Sequence, residues 1–146
     1  MEQEMKRVSY LDLDRSPYGG DVTLDEEPYS GIAFIERDGS LDSEMTYFDG
    51  VLHGVSRAWS GGELSREAHF VAGMSHGIAR DYYDEGPLWR ETLCSFGVRL
   101  HEREFALDGT LVRDERFELG EFERNTMAMG RAAHPDAPEV GESLPG

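Results

Sequence analysis

Four stretches of the chain line up on their glycines: Asp38–Gly50 reads DGSLDSEMTYFDG, Gly61–Gly73 reads GGELSREAHFVAG, Glu85–Gly97 reads EGPLWRETLCSFG, and Asp108–Gly120 reads DGTLVRDERFELG. The first glycines, Gly39, Gly62, Gly86 and Gly109, recur at 23, 24 and 23 residues, and Leu41, Leu64, Leu88 and Leu111 follow each by two. Glu44, Glu67, Glu91 and Asp114 form a third column, Tyr47, Phe70, Cys94 and Phe117 a fourth, and Gly50, Gly73, Gly97 and Gly120 a fifth. A fixed period of this length marks a repeat architecture whose copies must stack to share a core.

Asp-Gly and Gly-Gly pairs favour type I′ hairpin turns, which need positive φ at both central residues, so the first glycine column predicts a two-residue turn in every copy. Alternation after the turn places Leu64, Arg66, Ala68 and Phe70 on one face and Ser65, Glu67, His69 and Val71 on the other. Val55, Arg57 and Trp59 alternate likewise before it. Each copy is then one hairpin, successive hairpins join at the second glycine column, and apolar columns stack leucine on leucine and aromatic on aromatic. With Glu85-Gly86 as a two-residue turn, Arg80 falls opposite Glu91 and Asp81 opposite Arg90, two pairs that pin the register. The predicted fold is all-β: a single-layer antiparallel β-meander of four hairpins over residues 28–120, with a capping segment at 1–27 and a cap or flexible tail at 121–146.

These columns resemble the MORN-type repeat (membrane occupation and recognition nexus), in particular the bacterial variant repeats of the antitoxin-like YwqK type. The best copy is HGIARDYYDEGPLWRE, His76–Glu91, which is similar to the family's His-Gly, aromatic pair, turn glycine, leucine and glutamate. The opening EEPYSGIAFIERDGSLDSE is similar to a customary first repeat. The resemblance implies a twisted β-meander used as a scaffold or binding surface, with an antitoxin or immunity role. The fourth copy departs from it, with Leu100-His101-Glu102 in place of His-Gly.

The chain carries 30 acidic against 14 basic residues in 146, a formal charge of −16 spread over its whole length. Such a field repels nucleic acid and anionic membrane and favours a basic protein partner such as a toxin, unless it serves only solubility. Cys94 is the single cysteine, so no intramolecular disulfide forms, and its apolar column predicts a buried, inert thiol. Neither a signal-peptide core nor a membrane-length apolar run occurs, and the expected location is cytoplasmic.

The acidic column invites a catalytic or metal reading, but equivalent positions lie two strands, about 9–10 Å, apart, too far to share one proton or ion. The same spacing makes His53 and His76 structural residues, with His101 nearby. No nucleophile elbow, phosphate loop or zinc-helix motif appears, so no catalytic residue, metal or cofactor is assigned. Aromatics exposed among carboxylates are the expected contact surface, and the candidate partner-binding residues are Trp59, Tyr82, Tyr83, Trp89, Glu67 and Glu91. The alternatives are a structural scaffold, or a homo-oligomer joined through open sheet edges, and a small-ligand binder or enzyme using a concave sheet face. At the ends, Val8 to Leu13 and Val22 to Leu24 suggest short capping strands flanking a turn at Pro17–Gly20. Residues 121–129 offer a short helix with Phe122 and Met129 docked on the last hairpin, or the start of a tail.

Overall fold

The computed structural model describes residues 5–15 and 20–146, so the turn expected at Pro17–Gly20 lies, but for Gly20, outside the described residues. Thirteen strands and one α-helix follow one another among the described residues. The N-terminal segment gives β1 (Arg7–Ser9), a 3-10 turn at Tyr10–Asp12, β2 (Asp14–Arg15), β3 (Val22–Leu24) and β4 (Glu27–Pro28). The repeats give β5 (Gly31–Arg37), β6 (Ser40–Phe48), β7 (Val51–Ser60), β8 (Glu63–Val71), β9 (Met74–Ser75), β10 (Gly77–Tyr82), β11 (Leu88–Ser95), β12 (Val98–Phe105) and β13 (Leu111–Arg116). The helix α1 (Glu121–Ala133) comes last.

The repeat strands build one antiparallel meander from β5 to β13 in chain order, with the two-residue β9 pairing β8. The all-β meander expected from the 23-residue period is therefore the fold. One edge departs from pure antiparallel pairing, since β1 adds parallel to β5. The small sheet β2-β3-β4 is separate.

Turn chemistry differs from the sequence reading in an orderly way. Asp38-Gly39 and Gly61-Gly62 do have positive φ at both residues and close two-residue turns. Glu85-Gly86 and Asp108-Gly109 do not. There the Tyr83 N–H donates to Pro87 O and the Ala106 N–H to Thr110 O, closing three-residue loops in which only the glycine has positive φ. The second glycine column carries three further turns with positive φ at both residues, Asp49-Gly50, Ala72-Gly73 and Phe96-Gly97. The inter-hairpin joints are thus hairpin turns of the same kind.

Each hairpin also contains a bulge three residues after its first glycine. Ala58 faces Arg66 but Trp59 faces Leu64, so Ser65 is an extra residue; Asp42, Trp89 and Val112 are its equivalents. A bulge exchanges the faces of the residues on its two sides. Leu64 therefore shares a face with Glu67, Trp59 and Arg57, not with Arg66, Ala68 and Phe70 as simple alternation predicted. The leucines are also no core column: Leu41, Leu64 and Leu88 are half-buried and Leu111 is exposed.

The core lies instead at the two ends of the sheet, where terminal segments cover it. Leu13, Val22, Tyr29 and Ala33 bury one another under the N-terminal segment, with the Tyr29 hydroxyl donating to Ile32 O at 2.7 Å. At the other end Leu93, Leu100 and Leu144 form a second cluster with Ile78, Val140 and Met127 against it. The C-terminal residues thus form α1 and an irregular strap, residues 138–145, bent at Glu142 and Ser143 and packed on the sheet. Phe122 and Met129, expected to dock, are 79% and 71% exposed. The helix seats through Gly130 instead, whose missing side chain admits the Phe96 ring: a Cβ there would lie 2.3 Å from Phe96 Cγ. No helix among the described residues is long and apolar enough to cross a membrane.

Candidate functional site

Cross-strand register assembles the charged columns into two rows, one on each face. On the first face Glu44, Arg57, Glu67, Arg80, Glu91, Arg103 and Asp114 are direct neighbours on successive strands of the sheet. Within hairpins the partners bond: Arg57 to Glu67 at 2.8 Å, Arg80 to Glu91 at 3.1 Å, Arg103 to Asp114 at 3.5 Å. Arg7 of β1 reaches Glu44 at 2.6 Å. The hydrogen bond from Arg57 holds the Glu67 carboxyl below its ordinary pKa.

On the opposite face Arg66, Asp81, Arg90, Glu104 and Arg113 alternate in the same way. Asp81 accepts from Arg66 at 2.5 Å and from Arg90 at 3.2 Å. Both register pairs expected of the third hairpin, Arg80 with Glu91 and Asp81 with Arg90, are present. The three-residue loop preserves them because the Trp89 bulge offsets its odd length. Beside this row Glu102, 4% exposed, lies within 4 Å of Arg90, Arg99 and Arg113. A buried carboxylate needs such partners.

The histidines that open the copies have one repeated task. The ring Nδ1 of His53 accepts from the Ala72 N–H and that of His76 from the Phe96 N–H, each at 3.1 Å. Ser30 stands at the equivalent place in the first copy, its Oγ accepting from the Asp49 N–H at 2.8 Å. In all three the capped residue is a non-glycine held at positive φ. The following glycine N–H donates to Tyr29 O, Leu52 O or Ser75 O. His101 has left this role: its Nδ1 accepts from Leu144 N–H and its Nε2 meets Asp114. Among the described residues no cluster of His, Cys, Asp or Glu has metal-site geometry. Cys94 is buried, and burial pushes its thiol pKa up.

The six candidate contact residues separate into three groups. Trp59 and Tyr82 face Leu64 and Leu88 on the first face, one residue inside the hairpin tips. Tyr83 and Trp89 are on the other side of the third tip, ring centroids 6.1 Å apart, with Arg90 stacked 4.5 Å over the indole. The Tyr83 hydroxyl donates to Phe105 O at 2.7 Å. Glu67 and Glu91 are interior members of the first row, already matched by arginine.

Six carboxylates without such partners are found at the hairpin tips, while others, among them Asp25, Glu26, Asp49 and Glu118, lie apart from them. Asp38, Asp42, Glu63, Asp84, Glu85 and Asp108 lie on or beside the four tips, and none makes an ion pair among the described residues. All but Asp42 are exposed. Successive tips are two strands, about 9–10 Å, apart. A cleft of about 400 Å³ between the first two tips is floored by Leu41 and Trp59 and edged by Asp38 and Asp42, with Arg37 beside them. The rim is therefore mostly acidic along its edge, and aromatic or aliphatic just inside it on the first face and, at the third tip, on the second face as well. Sequence reading found its aromatics but looked for its charge in the repeated glutamate column. The tip acids are scattered in sequence and share only their distance from a turn.

No protein-family model, curated protein or solved structure matches the chain.

Proposed function

We propose that the protein is a non-catalytic binding module of antitoxin or immunity type, which neutralises a basic protein partner such as a toxin through the acidic, aromatic-lined rim of its hairpin tips. The observation that carries this reading is the division of charge: carboxylates of the two rows are matched by arginine, whereas those on the tips are not. Unmatched charge on an edge steers an oppositely charged partner, and half-buried Trp59, Tyr82, Tyr83 and Trp89 supply the apolar contact that holds it. The resemblance to MORN-type repeats points the same way.

The test is co-purification of the tagged full chain from its host at low and high salt. A basic protein retained at low salt, with association slowed at least tenfold by half-molar salt and by Asp38→Lys with Glu85→Lys, is the expected outcome. Retention indifferent to both salt and the tip substitutions rejects the rim.

A second reading, self-assembly through a sheet edge, has one observation in favour: β13 is an edge strand with Leu111 and Val112 47% and 62% exposed. Arg113 to Arg116 crowd the same edge with charge, a usual guard against edge pairing. Sedimentation that shifts with concentration in the absence of a partner, and is restored to monomer by Val112→Lys, would favour self-assembly.

A further inference from the structure

The strap Pro138–Pro145 crosses the first face of the last two hairpins without joining the sheet. His76 Nε2 bonds Pro138 O at 2.7 Å, His101 Nδ1 accepts from Leu144 N–H at 2.8 Å, and Arg103 donates to Pro145 O at 2.8 Å. Leu144, 4% exposed, is the anchor between Leu93 and Leu100. Main-chain bonds to side chains plus one aliphatic anchor are how a groove holds a peptide. The groove is also wider than its occupant, with clefts of about 510 and 710 Å³ along the strap.

Charge says what else would fit. In a chain of −16 one cleft is bordered from the body of the fold by Arg116 and Arg124 with Glu118, and the other by His69 and by Arg80, which is already paired with Glu91. Arg116 and Arg124 make no ion pair among the described residues, unlike the arginines of the two rows. The strap is acidic to match. Its Glu139 lies 3.7 Å from Arg131, and its Glu142 borders the cleft that holds Arg116 and Arg124.

We propose that the groove beneath the strap is a second interaction surface, which takes an acidic segment of a partner protein anchored by a leucine, with Pro138–Pro145 as its built-in competitor. This surface is separate from the acidic rim and does not depend on it. The bonds from His76, His101 and Arg103 go to main-chain atoms and accept any sequence. Selection falls to the Leu93–Leu100 pocket and to the arginines. A tethered competitor acts at an effective concentration on the order of millimolar, so the partner binds well only when the strap is loosened.

The test uses the full chain carrying Leu144→Asp, which removes the anchor and leaves the sheet intact, and a fluorescent nonapeptide with the sequence of residues 138–146. Polarisation should show the peptide binding the variant at least tenfold more tightly than the unaltered chain. Replacing both glutamates of the peptide by lysine, or adding Arg116→Glu and Arg124→Glu to the variant, should each weaken binding at least tenfold. Equal binding of the acidic and lysine peptides, or no gain from Leu144→Asp in a folded variant, overturns the proposal. If the variant fails to fold, the unaltered chain titrated with millimolar peptide decides the matter: Leu93 and Leu100 amide resonances should move with the acidic peptide alone, and identical shifts with the lysine peptide overturn it. A concentration-dependent dimer that Leu144→Asp abolishes would make the occupant the strap of a second copy and overturn the assignment to a partner.

Discussion

The ring Nδ1 of His101 accepts a hydrogen bond from the backbone N–H of Leu144, 43 positions further along the chain. The same imidazole, 0% exposed, meets Asp114 through Nε2, so one side chain ties β12 to β13 and to the strap. His101→Ala removes both bonds, opens a cavity and leaves the Leu144 N–H unpaired. The expected loss is about 3 kcal/mol, read from the urea midpoint at constant m-value.

Asp114 gives this junction a pH dependence of known sign. Its bond to His101, helped by the charge of Arg103, holds the carboxyl below its ordinary pKa. A carboxyl depressed in the native state adds stability that is fully present above the ordinary aspartate value, about 4, and is lost as pH falls through the lower native value. Stability of the unaltered chain should therefore fall between pH 4 and 2 more steeply than that of Asp114→Asn. Parallel curves over that range would show that the bond does not form in solution.

The turn caps predict a graded series. Ser30→Ala and His53→Ala each remove one acceptor from an amide at positive φ near the surface, and should cost about 1 kcal/mol. His76→Ala should cost roughly twice that, because the ring is 3% exposed, also bonds Pro138 O and packs tilted against Phe96, centroids 4.3 Å apart. Amide exchange should speed up selectively at Asp49, Ala72 and Phe96, respectively.

Gly130→Ala sets two effects against each other. Alanine inside a helix gains about 1 kcal/mol over glycine, whereas overpacking costs about 1–3. The added Cβ would stand 2.3 Å from Cγ of a ring also packed against His76, so crowding wins and thermal unfolding should occur at a lower temperature.

Much of this fold is legible in sequence because the repeat writes each feature several times. Four glycines at a near-constant spacing give the hairpins, and the cross-strand charges Arg80–Glu91 and Asp81–Arg90 give the register. The bulges are not legible: Ser65, Asp42, Trp89 and Val112 share no side-chain chemistry, and an extra residue in a period-two pattern leaves no mark. The turns at Ala72-Gly73 and Phe96-Gly97 were hidden by residues that rarely adopt positive φ, which a histidine 19 or 20 positions earlier makes tolerable. The strap escaped because it is held through its main chain and a single leucine, leaving no periodic signal. The rim was half legible, its aromatics from composition and its charges only from register, which revealed which carboxylates already had partners.

The row from Glu44 to Asp114 has a parity. A whole 23-residue copy adds one arginine and one carboxylate to it, so lengthening or shortening the array by complete copies keeps every neighbour opposite in sign. Loss of a single strand would set two like charges side by side. Array length can therefore drift without disturbing electrical balance inside the sheet, while the charge shown to the outside is rewritten independently at the tips, one short loop at a time.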